Sequence, residues 1–346
     1  MRHLAVDLGG RESQVCTRDS DAKILEERRV PTSRLPAFLM VQPLSRVILE
    51  TGAEAFAIAD AALLAGHEVR VVPATLVRSL GVGARGIKTD RRDAQVLSEV
   101  SCRIDLPSVH VPSQRSREWK SMCGMRQALV DSRTKMVNTV RGWMRGRITH
   151  VALGTVSTFP RRVREEQEED LPTYVERQLQ AIEQLTLSIK AFDKEFAAIA
   201  EADPVCRRLM TAPGVGPLVS VRFVSTVDNL ARFPDPHALE SYLGLTPGED
   251  SSSERKRITG ITKAGNTRTR WILVQAAWTI LRTRPGDPMA QWASKIAAKK
   301  GKKTAVIALA RKLAGILFAM WRDASEYNPT KGATAPAVKT YVLKRL

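Results

Sequence analysis

The period of the apolar pattern changes once along this chain, and that change limits the folds open to it. Over the first 110 residues short β-branched runs alternate with helical stretches. HLAVDL at 3–8 ends at Gly9 and Gly10, a run at 47–49 ends in Glu50, Thr51 and Gly52, and a run at 69–72 follows the alanine-rich stretch 53–65. Strand alternating with helix predicts an α/β domain with a mainly parallel core sheet. Residues 90–101, DRRDAQVLSEVS, read as a further helix with Ala94, Val96, Leu97 and Val100 at its apolar positions. From residue 113 onward the helical pattern runs much longer. Residues 113–147 and 173–201 each suit one long helix, and between them lie Gly154, Pro160 and the charge run RRVREEQEED at 161–170, which reads as a solvated connection. Two long helices about a turn predict an antiparallel, coiled-coil-like arm suited to assembly. The expected chain is therefore multidomain, α/β plus α, with parts at 1–112, 113–202 and 203–346, the last mainly helical.

Charge narrows the partner. Fifty-four Lys and Arg oppose 36 Asp and Glu, a net +18 with a pI near 10.2, and such an excess predicts a polyanion, nucleic acid before membrane. The excess is uneven: residues 251–346 hold 20 basic residues against four acids, and 113–147 hold nine against Glu118 and Asp131. The most apolar stretch, 304–321, carries Arg311 and Lys312 and reads as an amphipathic helix, not a membrane span. MRHLAVDLGG has no hydrophobic signal core, and Cys16, Cys102, Cys123 and Cys206 are scattered without metal-ligand spacing. The expectation is a reducing cytoplasm, no structural zinc and no disulfide framework.

Four acidic residues stand out in the first part. Asp7 precedes the glycine pair, Glu50 closes an apolar run, and Asp90 and Asp93 are three apart at a helix start, so they share a face. Carboxylates converging from strand ends and a helix face make a hard-oxygen site suited to two magnesium ions in phosphoryl transfer. A pair spaced this way at a helix start equally serves capping and dipole compensation. Glu54, Asp60 and Glu99 fit the geometry less well.

The last part holds two candidate nucleic-acid contacts. Pro213-Gly214-Val215-Gly216-Pro217 lies between apolar helical stretches, where Gly214 and Gly216 either free amides for a phosphate or form a tight turn. Further on, GLTPGEDSSSERKRITGITKAGNTRTR places Ser251, Ser252 and Ser253 before Arg255, Lys256, Arg257, Lys263, Arg268 and Arg270. A serine is a poor nucleophile unless activated and unless cations stabilise charge developing on phosphorus. This loop offers both, although polyserine is also ordinary linker composition. The lysines from 299 to 303 are further phosphate candidates or a solvated face.

VDLG at the amino end, ETG at Glu50, KTDRRDA at 88–94, PGVGP at 213–217, and GLTP followed by serines and ITKAGN, in that order, resemble the insertion-sequence transposases with a DEDD carboxylate set, the bridge-RNA-guided recombinases. The resemblance implies an RNase H-like, Holliday-junction-resolvase-like first domain in which Asp7, Glu50, Asp90 and Asp93 bind magnesium. It implies a nucleophilic serine shortly after GLTP; alignment on GLTP and ITKAGN favours Ser252, with Ser251 the rival, because Ser253 stands where the family commonly has glycine. It further implies donor and target DNA, a structured guide RNA, and a dimer or tetramer. Two other classes compete: a structure-specific nuclease that hydrolyses DNA junctions, which Ser252→Ala would leave active, and a non-catalytic nucleic-acid-binding protein, which Asp7→Asn would leave intact.

Overall fold

The computed structural model describes residues 1–79, 90–167, 171–252 and 255–330, with backbone alone at 78–79, 90, 249–252 and 255–259. The chain divides into two units, Met1–Pro112 and Ser113–Leu346.

The first unit runs β1 (Arg2–Asp7), β2 (Glu12–Arg18), β3 (Ile24–Pro31), α1 (Leu35–Met40), β4 (Ser45–Glu50), α2 (Ala55–Leu64), β5 (Glu68–Val72), α3 (Ala74–Ser79) and α4 (Asp90–Arg103). Its five-stranded sheet has the order β3-β2-β1-β4-β5. β1 pairs parallel with β4 and β4 with β5, whereas β1–β2 and β2–β3 are antiparallel. The sheet is thus mixed, which corrects the expectation of a mainly parallel one. ESQVCTR and ILEERRVP form the antiparallel half, and β3 buries only Val30; an edge strand wet on both faces leaves no apolar run to read. Gly9 makes the return possible, since a Cβ there would stand 2.2 Å from the Glu12 carbonyl oxygen.

Strand alternation sorts the side chains into two layers. Leu4, Val6, Val47, Leu49 and Val71 pack under α1 and α2. Ala5, Ile48 and Val72 pack on the other face with Val77 of α3 and Leu97 of α4.

The second unit comprises α5 (Gln114–Gly146), α6 (Phe159–Glu166), α7 (Thr173–Ala202), α8 (Pro204–Leu209), α9 (Pro217–Val227), α10 (Pro236–Tyr242), β6 (Pro247–Ser252), β7 (Arg255–Ile261), α11 (Thr267–Thr283), α12 (Pro288–Lys300) and α13 (Lys302–Arg322). Arg126 bonds Asp193, Arg133 bonds Thr186 and Trp143 bonds Tyr174, so α5 and α7 run antiparallel along their length. The connection at their tip is more than a solvated charge run. Phe159 and Val163 of α6 are buried against Val140 and Leu179, and Arg164 reaches both Glu176 (2.8 Å) and Glu183 (2.6 Å). Its charges look solvated in sequence because their partners lie on another helix.

At the base of this arm Phe196 and Ala200 of α7 enter one core with α9, α11, α12 and α13. α13 is long and apolar enough to cross a membrane, with a mean hydropathy of 1.5, but half of that window is buried. Val306, Leu309, Leu313 and Leu317 are the residues it contributes to the core. All four cysteines are free thiols, and burial pushes the Cys206 thiol up to about 12.

Candidate active site

β1 and β4 lie side by side with Val6 opposite Leu49, so the next residues, Asp7 and Glu50, close adjacent parallel strands at one edge, both half-buried. Alternation places Asp7 on the face of Ala5 and Glu50 on the face of Ile48, and that is the face α4 covers. α4 runs against β1. Ser101, late in the helix, meets His3 at the strand's start (2.8 Å), and Ser98 meets Cys16 (3.2 Å), whose strand partner is Ala5. From His3 to Asp7 the strand advances about 13 Å, and from Ser101 back to Asp93 the helix retreats about 12 Å. Asp93 therefore stands level with Asp7, and it is 2% exposed.

Asp90 opens α4 one turn earlier, and its side chain lies outside the described residues. Among the described residues, no three His, Cys, Asp or Glu side chains gather as a metal site. The structure thus places Asp7 and Glu50 at one end of the sheet on the face α4 covers, with Asp93 level with Asp7 along that face but without gathering the three into one cluster, and says nothing of the fourth carboxylate.

Local bonds fix these strand ends. Thr32 Oγ1 donates to the Gly9 carbonyl (2.6 Å) and shares a hydrogen bond with Ser13 Oγ (2.8 Å), pinning the turn after Asp7. After Glu50, the Thr51 amide donates to the Val72 carbonyl (2.9 Å), and its hydroxyl accepts from the Ala74 amide (3.1 Å). α4 is tied across the sheet as well: Arg91 Nε donates to Glu27 of β3 (3.1 Å), Gln95 also bonds Glu27, and Arg18 Nε donates to Ser98 (3.1 Å). The Arg91 and Gln95 donors hold the Glu27 carboxyl below the usual glutamate range.

The serines occupy a different kind of element. β6 and β7 form a two-stranded antiparallel ribbon in which Asp250 is opposite Arg257, Ser251 opposite Lys256 and Ser252 opposite Arg255. Ser251 and Ser252 are successive strand residues and belong to opposite faces of the ribbon. Ser253, and the side chains of Ser251, Ser252, Arg255, Lys256 and Arg257, lie outside the described residues.

The base of the ribbon is an interlock of two loops. Gly244 has φ +67 and Gly265 φ +76; a Cβ on the first would stand 2.0 Å from the Ala264 oxygen, and on the second 1.9 Å from the Tyr242 oxygen. Thr262 N–H donates to Thr246 (2.9 Å) and Lys263 N–H to Gly244 (3.2 Å). Arg270, 8% exposed, donates from Nη1 to the carbonyls of Leu243 and Ala264, each at 3.0 Å. Its guanidinium is committed to the loops, so the phosphate contact expected of Arg270 gives way to a structural role. Lys263, Arg268 and the lysines at 299, 300, 302 and 303 are exposed.

The glycines of PGVGP also differ. Gly214, at φ +73, lies against α11, where a Cβ would come within 2.7 Å of the Ala276 oxygen. Gly216 faces open space and caps α9 ahead of Pro217. Sequence reasoning passed over Arg222, 6% exposed in α9, which bonds Thr269 Oγ1 (3.3 Å) and reaches Asn266 at the start of α11. A lone arginine inside the apolar LVSVRFV run was the available signal.

Comparison with known proteins now decides the family. The DEDD transposase model of IS110, described as Transposase, matches residues 4–148, and the model described as Transposase IS116/IS110/IS902 family matches residues 206–292. The putative transposase y4qE of Sinorhizobium fredii is 31% identical over 288 residues, covering 75% of this chain and 71% of that protein. The chain belongs to the IS116/IS110/IS902 family of transposases. This transposase is also 25% identical over 340 residues to the transposase for insertion sequence element IS1111A of Coxiella burnetii, covering 94% of this chain and 91% of that protein. It is 24% identical over 334 residues to the transposase for IS1328 of Yersinia enterocolitica, covering 94% and 98%. As a member of this transposase family it is an enzyme that cleaves and recombines DNA. The first match contains all four acidic candidates, and the second contains PGVGP, the serine ribbon and α11.

Proposed function

We propose that this transposase exchanges DNA strands through a covalent phosphoserine, using magnesium ions held by Asp7, Glu50, Asp90 and Asp93. The observation that carries the reading is the placement of Asp7 and Glu50 at the ends of adjacent parallel strands, with Asp93 level with them on the covered face. These are hard carboxylate oxygens of the kind magnesium takes. The strand order β3-β2-β1-β4-β5, with only β2 reversed, supports an RNase H-like, Holliday-junction-resolvase-like first unit. When bound, a pair of such ions stabilises both the attacking and the leaving oxygen of an in-line displacement.

The chain's own part in the reaction follows from its residues. Ser252 Oγ bonds to the phosphorus as the bond from phosphorus to the 3′ oxygen breaks. The serine proton ends on the departing 3′ hydroxyl, and the phosphodiester bond energy is kept for rejoining without water or ATP. The backbone register sets Arg255 opposite Ser252 and Lys256 opposite Ser251, which supports a cationic setting for either serine.

The same reading extends to partners: donor and target DNA, a structured guide RNA and a dimer or tetramer. The basic excess after residue 250 supports recognition of nucleic-acid backbone, leaving sequence to base pairing. Exposed Ile148, Leu153 and Tyr174 toward the tip of the arm support its use in assembly. The test is covalent trapping: protein, magnesium, element-encoded RNA and matching DNA are incubated and the linked residue is mapped. An adduct at Ser252, lost in Ser252→Ala and in Asp7→Asn, is the expected result. Cleavage without an adduct moves the enzyme to metal-dependent hydrolysis, and an adduct at Ser251 moves the nucleophile by one position.

A further inference from the structure

The outward face of α11 carries a stripe of aromatic and basic side chains. Arg268, Trp271, Gln275, Trp278 and Arg282 follow one another at spacings of three and four, and all five are exposed while the residues between them are buried or half-buried. That spacing keeps them in one line along the helix. Trp271 is 50% exposed and Trp278 41%. Large aromatic surface left wet costs hydrophobic free energy and marks a binding surface when it is contiguous.

Two cavities flank the stripe. One of about 300 Å³ lies between α5, α9 and α11, with Trp271 and three arginines, Arg126, Arg222 and Arg268, in its wall. The other, about 600 Å³, lies toward α12 and is walled by Trp278, Arg282 and Lys302. Asp131 is the acid in the first wall, where Gln127 bonds it (2.8 Å), and Arg126 is paired with Asp193 (2.7 Å). Among the described residues Arg268 and Arg282 form no ion pair, so the two ends of the stripe keep their positive charge.

We infer that the α11 stripe is a stacking platform for unpaired single-stranded DNA, with Trp271 and Trp278 each taking a base and Arg268 and Arg282 the phosphates. The charge pattern favours this over a second copy of the chain. In self-pairing, a parallel arrangement sets Arg268 on Arg268, and an antiparallel one sets it on Arg282, like charge against like in both. A polyanion meets no such conflict. The strand must be unpaired, because duplex bases are covered by neighbours 3.4 Å above and below, whereas the two indoles lie about 10.5 Å apart along the helix. DNA is the strand chosen because this transposase family recombines DNA, and strand exchange exposes unpaired nucleotides. The location fits: the ribbon bearing Ser251 and Ser252 leads through the 262–266 loop straight into the first turn of α11.

This inference rests on the family's action on DNA and not on the phosphoserine reading, so it is tested without metal. Full-length protein in EDTA is titrated into fluorescein-labelled oligo-dT, a duplex of equal length and oligo-U, with binding read by anisotropy. The double variant Trp271→Ala/Trp278→Ala is expected to weaken oligo-dT at least about tenfold, and duplex less than about threefold. Trp271→Phe/Trp278→Phe, which keeps the aromatic faces, should retain most oligo-dT affinity. Arg268→Gln/Arg282→Gln should reduce the slope of log affinity against log salt by about 1.4 for a single strand. Equal weakening of oligo-dT and duplex overturns the platform, as does a loss confined to oligo-U. Unchanged oligo-dT binding with a drop in mass by light scattering overturns it in favour of a second copy.

Discussion

Asp7 and Glu50 end strands bracketed by neighbours on both sides, whereas Ser251 and Ser252 sit in a two-stranded ribbon that, among the described residues, joins no larger sheet. The carboxylates take their positions from a mixed ladder, a buried layer on each face and a helix tied at three points along its length. An isolated two-stranded ribbon is marginal in water, so the serines take theirs from the base, where Gly244, Gly265 and Arg270 lock the loops. The contrast suits the two chemistries proposed for these residues. Metal ligands must be held within about half an ångström before substrate arrives, while a nucleophile has to reach phosphates at the strand being cut.

The largest effect should come from the carboxylate side. Asp7→Asn keeps size and shape but removes a charge from the proposed metal site, where a bound ion would contribute several kcal/mol, so DNA recombination should fall on the order of 10³-fold or more. Thermal unfolding should stay within about 2 °C of the parent, which separates a lost charge from a lost fold. If Asp7→Asn recombines normally, the ordered-carboxylate half of the contrast has no chemical meaning.

Next in size are the glycines under the ribbon. Gly265→Ala forces a Cβ to within 1.9 Å of the Tyr242 oxygen at φ +76, and should cost at least about 2 kcal/mol in chemical denaturation of the second unit. Gly216→Ala, at φ −98 with open space around it, should cost only the poorer N-cap that alanine makes, about 1 kcal/mol or less. Each glycine stands in a short glycine motif, KAGN and PGVGP. An equal cost at the two positions would show that the ribbon does not depend on its interlocked base.

That pair also shows where the sequence was legible and where it was not. Helix ends were legible when the cap is local: the Ser113 hydroxyl accepts from the Ser116 amide (3.2 Å), and α5 begins where the pattern places it. The strands bearing Asp7 and Glu50 were legible because they are buried on both faces. β2 and β3 were not, since β3 buries only Val30 and β2 buries the polar Ser13 and Thr17 beside Val15 and Cys16, which leaves no apolar run, and neither was the work of Arg270, whose acceptor Leu243 lies 27 residues away. In a basic run a structural arginine and a phosphate-binding one have the same local sequence. Only the carbonyls they meet tell them apart.

Arg270→Gln therefore tests the base from the side-chain end. It removes a charged donor from two carbonyls and should destabilise the second unit by about 1.5–3 kcal/mol. Recombination should fall with it, while magnesium binding to the first unit, followed by calorimetry, should be unchanged. A variant with normal stability and weaker DNA binding would return Arg270 to the phosphate contacts.

The smallest expected effect compares one ion pair from each unit. Glu27 is drawn below its ordinary range by Arg91 and then Gln95, and Glu176 is drawn down by Arg164. A depressed carboxyl stabilises the fold above its unfolded value, near 4.3, and loses that contribution as pH falls through the folded value. Glu27→Gln and Glu176→Gln should each cost no more than about 1 kcal/mol at pH 7, given how much of each pair meets water. As pH falls through each depressed folded value the difference from the parent should shrink toward zero, because protonation then does what the substitution does. The two variants should part in function. Glu27 anchors the first turn of the helix that carries Asp90 and Asp93, so Glu27→Gln should lower the adduct yield about two- to threefold, the size of shift that less than 1 kcal/mol allows. Glu176 steadies the arm far from either reacting group in sequence, and its loss should leave that yield unchanged at saturating DNA. Equal yields in both variants would mean that α4 holds its carboxylates without help from β3, and the sheet ladder alone sets the site.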